Sequence, residues 1–148
     1  MDLFYTVKQH VLSELKSMVA AGELPSGLDM TSVSVEPPRD PLHGDMATNA
    51  AMVLSKSAKK NPRVIAETLA DRLSNVDIIE TSQVAGPGFL NLTISIEAWH
   101  SILNKILELG RAYGRTGLGK NLRVNVEFVS ANPTGPLHVG HTRGAVFG

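Results

Sequence analysis

The feature that most constrains the fold is a pair of strand-like segments joined by the residues AGPG. Residues 77–84 and 89–96 carry frequent aliphatic and β-branched side chains, and a short glycine- and proline-containing link between such segments is typical of a β-hairpin. In the second segment, one set of alternate positions is wholly aliphatic: Leu90, Leu92, Ile94 and Ile96. Because successive side chains of a strand point to opposite faces, this pattern predicts a sheet with one face buried under helices.

The other face of the second strand carries Phe89 and Asn91. An aromatic ring beside an amide suits a nucleic-acid base, since the ring can stack on the base while the amide bonds its edge. Gly86 and Gly88 lack side chains and would let a nucleic-acid backbone come close. The alternative is that helices cover both faces of the sheet and that Phe89 is buried.

Helices that can cover the buried face of the sheet are predicted on either side of the hairpin. Residues 2–20 repeat apolar side chains at helical spacing, at Phe4, Val7, Val11, Leu15 and Met18. A second helix is predicted to start with Asn61 as its N-cap and Pro62 at its first position. A third helix follows the hairpin, with apolar positions Trp99, Leu103, Ile106 and Leu109 before Gly110 ends it.

The remaining patterns complete the first domain. A short strand is predicted at Val33 and Val35, and Asp45 is predicted to cap a further helix. Together the elements indicate an α+β domain over residues 1–110, built on a small antiparallel sheet. Residues 111–121, RAYGRTGLGKN, combine glycines with positive charges and are predicted to be a linker.

Composition and charge limit the kinds of protein that this chain can be. The formal net charge is +0, so the overall charge gives no case for nucleic acid, and the local cluster Lys56, Lys59, Lys60 and Arg63 is interpreted as a solvated helix end. The chain has no cysteine, which excludes disulfides and thiolate metal sites. The N-terminus lacks a signal-peptide pattern, and no apolar run approaches the roughly 18 residues of a membrane helix. A cytoplasmic protein without membrane association is expected.

Residues 122–148 have a different character. RVNVEFV is predicted to be a strand, and the loop after it opens a helix near His138. A helix N-terminus attracts phosphate, and histidines three residues apart lie on one face of a turn, where both can donate to phosphate oxygens. Gly140 would leave room for a flat adenine ring. Metal binding by His138 and His141 is the alternative, but no third ligand is near in sequence, and no metal site is expected.

A resemblance to a known family extends over most of the chain. VEFVSANPTGPLHVGHTRGA resembles the opening of the catalytic domain of arginyl-tRNA synthetases, and His138 to His141 resemble the class I "HIGH" signature. Upstream, HGDMATNAAMVLSKSAKKNP and VAGPGFLNL are similar to segments of the additional N-terminal domain of that family. The resembling segments occur at two independent places and in the family's order.

The resemblance implies an arginine–tRNA ligase that uses ATP, with Mg2+, as a substrate and holds no prosthetic group. L-arginine and tRNA(Arg) would be its other partners. By position in the motif, His138 and His141 would contact ATP phosphates, and Gly140 would lie under the adenine. Glu127 would face the arginine guanidinium, and Ser130 and Asn132 would hold the α-amino end. Phe89, Asn91 and Gly86 would meet the D-loop of the tRNA.

The same resemblance implies a domain plan. Residues 1–110 would be the D-loop-binding domain, and residues 122–148 would be the first strand, loop and helix of a Rossmann-like nucleotide-binding domain. The rest of that catalytic domain is missing from this sequence, so the fragment is expected to bind tRNA without catalysing the reaction. Two alternatives stay open: a stand-alone RNA-binding module, and a small nucleotidyltransferase that also binds ATP through H-x-G-H.

Overall fold

The computed structural model describes residues 2–38, 40–117 and 119–148. Its internal contacts divide the chain into two compact units, Met1–Arg111 and Ala112–Gly148. The first unit contains nearly all the regular structure. Its elements are α1 (Leu3–Ala20), β1 (Val35–Glu36), β2 (Met46–Thr48), α2 (Ala50–Ala58), α3 (Pro62–Leu73), β3 (Ile79–Ala85), β4 (Phe89–Ile94) and α4 (Ile96–Leu109), with a short 3-10 turn at Pro41–His43. A second 3-10 turn, Gly110–Ala112, includes the boundary between the units.

The sheet of the first unit has four strands in the order β1-β2-β4-β3, and every neighbouring pair is antiparallel. β3 and β4 form the predicted hairpin, which closes with Ala85 opposite Phe89 and Val84 opposite Leu90. On the other side of β4, Leu92 pairs with Met46 of β2. The predicted α+β class with a small antiparallel sheet is confirmed for this unit.

The core lies where the helices cover the aliphatic face of the sheet. Buried side chains come from each layer: Val7, Val11, Leu15 and Met18 of α1, Ile65, Leu69 and Leu73 of α3, and Leu90, Leu92 and Ile94 of β4. α2 and α3 both contact β4, and α1 contacts α3 and β1. The helical spacing of α1 and the alternation of β4 therefore predicted the core-facing side chains at these positions.

The start of α3 follows the predicted capping chemistry. The Asn61 side chain accepts a hydrogen bond from the Arg63 N–H at 2.9 Å, and Pro62 occupies the first position of α3. Ser95 was predicted to lie in the strand, but it follows the last residue of β4 and caps α4, where its hydroxyl accepts a hydrogen bond from the Ala98 N–H at 3.4 Å. Ile96 therefore starts a helix with 56% of its surface exposed, and its predicted place on the core face of the strand is wrong.

The prediction that Asp45 caps a helix is also wrong. Its carboxylate accepts the Ile94 N–H at 2.8 Å, while its own N–H donates to the Leu92 carbonyl at 2.9 Å. Asp45 thus fastens the segment before β2 to β4, and α2 begins only at Ala50. The carboxylate is drawn to an N–H near the end of the neighbouring strand, which is far away in sequence and close only after folding.

α4 keeps the predicted apolar spacing but is poorly covered. Trp99, Leu103, Ile106 and Leu109 keep 37%, 52%, 36% and 40% of their surface exposed, respectively.

Across the described residues, no helix is both long and apolar enough to cross a membrane.

The second unit contains the helix α5 (Val139–Phe147) and irregular backbone before it. The strand predicted over RVNVEFV is not formed: residues 122–127 belong to neither helix nor strand. A strand satisfies its backbone groups only by pairing, and the described residues of this unit supply no second strand. The Rossmann-like start predicted here is therefore not confirmed: a helix forms at the predicted position, but the strand before it does not.

Candidate functional site

The two motif histidines form a reciprocal cap at the start of α5. His138 occupies the N-cap position, and its Nδ1 accepts a hydrogen bond from the Gly140 N–H at 3.2 Å. In return, the His138 N–H donates to Nδ1 of His141 at 3.2 Å. The helix predicted to open at this motif begins at Val139, and both histidines lie on its first turn. Two backbone N–H groups of a helix start are thus satisfied by imidazole nitrogens.

The same arrangement stacks the two rings. Their centroids lie 3.8 Å apart with an angle of 28° between planes. Because each Nδ1 accepts a hydrogen bond from a backbone N–H, the N–H of each ring is assigned to Nε2. The pair therefore offers two Nε2–H donors from one helix start, which is a suitable arrangement for oxygen atoms of a phosphate chain.

Gly140 has a packing role that the sequence did not reveal. A Cβ added at this position would lie 3.0 Å from Cε1 and 3.1 Å from Nδ1 of His138. A side chain would press on the ring that caps the helix. The glycine thus permits the histidine stack, in addition to the space for an adenine ring expected from the motif.

The three residues predicted to bind arginine lie in the irregular segment before α5. Glu127, Ser130 and Asn132 are all exposed. No hydrogen bond in the described part of the chain joins them to one another or to the two histidines. The structure therefore assembles the histidine pair, and it does not assemble Glu127, Ser130 and Asn132 into a pocket.

The predicted RNA face lies on β4 in the first unit. Phe89 begins the strand and is 44% exposed, so the alternative in which this ring is buried in the core is wrong. Asn91 is partly buried and pairs with Ala47 on one side and Gln83 on the other. Gly86, in the turn before the strand, has φ +53° and nothing within 4 Å of where its Cβ would be. Open space therefore surrounds Gly86, next to an exposed aromatic ring.

Gly88 has a different role from the one predicted. A Cβ at this position would lie 2.9 Å from Cβ and 3.0 Å from the carbonyl carbon of Pro62, and its φ is +142°. The group that comes close to Gly88 is therefore Pro62, the first residue of α3. The prediction had placed a nucleic-acid backbone there. Only the folded arrangement brings Pro62 and Gly88 together, since they are far apart in sequence.

In the described ranges of the chain, no three histidine, aspartate or glutamate side chains lie close enough together to hold a metal ion.

Comparisons with known proteins support the fold and identify the family of the first domain. Residues 6–94 match the family described as the arginyl tRNA synthetase N-terminal domain, which covers more than half of the chain. This match places the chain among segments of aminoacyl-tRNA synthetases. The chain belongs to the arginyl-tRNA synthetase N-terminal domain family.

The curated relatives are longer than this chain. It is 60% identical over all 148 residues to an arginine–tRNA ligase of Cereibacter sphaeroides, and 59% identical to one of Paracoccus denitrificans. In both comparisons the chain spans 26% of the length of the relative. The identity extends through residues 95–148, beyond the matched family domain.

Two solved structures share the fold. The Thermus thermophilus arginyl-tRNA synthetase aligns with 97% of this chain and 21% of its own, with a TM-score of 0.53 and 25% identity. The arginyl-tRNA synthetase of Plasmodium falciparum aligns with 70% of this chain and 18% of its own, with a TM-score of 0.58. At 17% identity, the second comparison speaks for the fold alone.

Proposed function

We propose that this chain is the N-terminal part of a cytoplasmic arginine–tRNA ligase. Such an enzyme activates L-arginine with ATP and transfers it to tRNA(Arg). The observation that carries the proposal is 60% identity over all 148 residues to a protein named arginine–tRNA ligase. Residues 1–110 bind the tRNA, residues 111–121 link the domains, and residues 122–148 open the catalytic domain.

The proposed reaction has two steps. A carboxylate oxygen of arginine attacks the α-phosphorus of ATP, the bond from that phosphorus to the oxygen it shares with the β-phosphate breaks, and pyrophosphate leaves. A ribose hydroxyl at the 3′ end of the tRNA then attacks the carbonyl carbon of the arginyl-adenylate. The bond from this carbon to the phosphate oxygen breaks, AMP leaves with the bonding electrons, the hydroxyl proton passes to solvent, and an ester is formed.

His138 and His141 act on the first step. Their Nε2–H groups donate to phosphate oxygens, and these bonds strengthen as negative charge develops in the transition state. The support for this role is the reciprocal cap, which uses both Nδ1 atoms and holds the rings 3.8 Å apart. Gly140 lies under the adenine, where the motif keeps the backbone free of a side chain.

Glu127 binds the guanidinium of arginine, and Ser130 and Asn132 bind its α-amino end. A carboxylate matches the planar fork of a guanidinium through charge-assisted hydrogen bonds. The support is the match of these positions to the family motif, together with their exposure, which leaves the side chains accessible. In this proposal they converge when RVNVEFV pairs as the first strand of a Rossmann-like sheet.

The tRNA contact is made by the open face of the hairpin. Phe89 stacks on a base of the D-loop, and Asn91 forms a hydrogen bond with the edge of that base. Gly86, which has no side chain, leaves space for the RNA backbone. The support is the 44% exposure of Phe89 on the face opposite Leu90 and Leu92, and the open surroundings of Gly86.

Amino-acid specificity tests the proposal. A ligase that carries this segment should esterify radiolabelled arginine to tRNA(Arg) and should leave lysine, which has no planar guanidinium, uncharged. Glu127→Gln should reduce charging mainly through a higher KM for arginine, because it removes the charge that pairs with the guanidinium. Charging with lysine, or an unchanged KM in the variant, would contradict the proposed assignment.

A further inference from the structure

The junction between α2 and α3 carries a concentration of positive charge in a chain whose formal net charge is +0. The basic residues lie within eight positions and are all exposed: Lys56, Lys59, Lys60 and Arg63. Their spacing alone indicates no more than a solvated helix end. Their position in the folded domain gives them a further meaning.

The fold places this junction beside the exposed aromatic ring of the hairpin. Gly88 approaches Pro62 so closely that a Cβ on the glycine would lie 2.9 Å from the proline Cβ. Phe89 follows Gly88 and Arg63 follows Pro62, so the two chain segments meet at one end of the sheet. An exposed ring and a basic cluster at one end of a domain form the usual combination for single-stranded nucleic acid, since bases stack while cations follow the backbone.

Lys59 stands at a position where its residue type is unfavourable. It follows the last residue of α2 with φ +51°, in the left-handed region that favours glycine or asparagine. Its backbone N–H bonds the Ser55 and Lys56 carbonyls, which explains the conformation but does not explain a lysine side chain. Position 59 therefore carries a positive charge where the backbone alone would favour a small neutral residue.

The charges of the cluster differ in how firmly they are engaged within the protein. The Lys60 ammonium donates to the Glu23 carbonyl, so this lysine ties the junction to the loop after α1. Arg63 pairs with Glu67 at 3.1 Å, but both side chains are more than half exposed, and such pairs exchange readily. Lys59 has no ion pair in the part of the chain that the structure describes. Lys59 and Arg63 are thus available to a polyanion.

We propose that Lys59 and Arg63 bind phosphates of the same tRNA strand whose base stacks on Phe89. This inference rests on the proposed tRNA-binding function and adds the residues that hold the backbone. The bases would be contacted on the open face of β4, and the phosphates at the α2–α3 junction.

The test is the salt dependence of tRNA(Arg) binding by the 148-residue chain, measured for Lys59→Asn, Arg63→Gln and the double variant. Asparagine suits the left-handed backbone at position 59, so the charge is removed without added strain. Each lost phosphate contact should lower the slope of log K against log salt by roughly 0.7–0.9. Lys16→Asn is the matched control, because Lys16 is an exposed lysine on α1.

Three outcomes separate the inference from the proposed function. Slopes reduced in both single variants, further reduced in the double variant and unchanged in Lys16→Asn support the inference. If Phe89→Ala weakens binding while Lys59→Asn and Arg63→Gln leave affinity and slope unchanged, the phosphate assignment is wrong and the tRNA face stands. If the wild-type chain binds no tRNA(Arg), both the proposed RNA face and its phosphate contacts are overturned.

Discussion

At the scale of single residues, each motif histidine uses one ring nitrogen in the helix cap and leaves the other for the proposed phosphate contact. Nδ1 accepts a backbone N–H in both rings, and Nε2 is left as the donor. A change to alanine would remove the cap together with the donor, so loss of activity could reflect a frayed helix. Asparagine retains an acceptor near the Nδ1 position and lacks an equivalent of Nε2, which separates the two effects.

In the ligase that carries this segment, His138→Asn and His141→Asn should each lower the rate of adenylate formation by about 10²-fold or more. Arginine affinity should change little, because the lost donors act on charge that grows in the transition state. Single-turnover adenylation and equilibrium arginine binding measure the two quantities. A normal rate combined with weakened arginine binding would show that the histidines serve the amino acid instead of the phosphates.

Phe89 and Leu90 are neighbours on opposite faces of β4, and they make a matched pair. Phe89→Ala should weaken tRNA(Arg) binding by about ten- to a hundredfold, since stacking of one base is worth roughly 1–3 kcal/mol. Its melting temperature should change little, because the ring is 44% exposed. Leu90→Ala should instead cost roughly 2–5 kcal/mol of stability. Substantial thermal destabilisation by Phe89→Ala with normal tRNA affinity would reject the RNA face.

What the sequence could and could not predict at this scale depends on where the partner of a residue lies. The exposure of Phe89 follows from alternation along its own strand, and Asn61 caps through an N–H two residues away. Asp45 and Gly88 were misinterpreted because their partners, Ile94 and Pro62, come close only in the folded domain. A local pattern carries no information about such contacts.

At the scale of elements, the turn between β3 and β4 depends on two glycines in different ways. Gly86 is in the left-handed region with open space around it, so Gly86→Ala should cost only the backbone strain, about 1–2 kcal/mol. Gly88→Ala adds a collision with Pro62 to a positive φ and should cost about 1–3 kcal/mol more. Urea denaturation of the two variants compares them. Equal destabilisation would mean that α3 moves away from the turn without cost.

The second unit shows why a helix pattern was confirmed and a strand pattern was not. α5 closes its hydrogen bonds within its own segment, with the histidine pair satisfying its first N–H groups. The RVNVEFV segment needs a neighbouring strand for the same purpose, and the described residues of its unit contain none. The sequence motif therefore predicted the position of this helix correctly, while the residues proposed to bind arginine have no sheet to position them in the described part of this unit.

At the scale of the whole molecule, the boundary between the two units can be located by proteolysis. Contacts separate the units after Arg111, in the segment predicted to be a glycine-rich linker. Limited trypsin digestion should cut first at Arg111, Arg115 or Lys120, because exposed segments with few contacts open most readily. Mass spectrometry of the earliest fragments identifies the site. Earliest cleavage at Lys59 or Arg63 would contradict this boundary, since those residues flank the start of α3 in the folded unit.

In the 148-residue chain, only part of the proposed active site is assembled. The histidine pair is assembled, and a phosphate chain would find two donors at the start of α5. The residues proposed to bind arginine are exposed, and no hydrogen bond in the described part of the chain joins them to that pair. The arginine carboxylate and the α-phosphate of ATP are therefore not held in position relative to each other. Alignment of two reactants accounts for a large part of the rate enhancement by an enzyme. In a Rossmann-like fold, this alignment requires groups at the ends of several strands.

We therefore expect no arginine-dependent exchange of pyrophosphate into ATP by this chain, even with tRNA(Arg) present. The chain should nevertheless bind tRNA(Arg), because the hairpin face belongs to the unit with the buried core. Exchange of radiolabelled pyrophosphate, measured beside a ligase that carries this segment and beside a no-enzyme blank, makes the comparison. Exchange above the blank would show that residues 122–148 complete an active site without further strands, and the separation of binding from catalysis proposed for this chain would be lost.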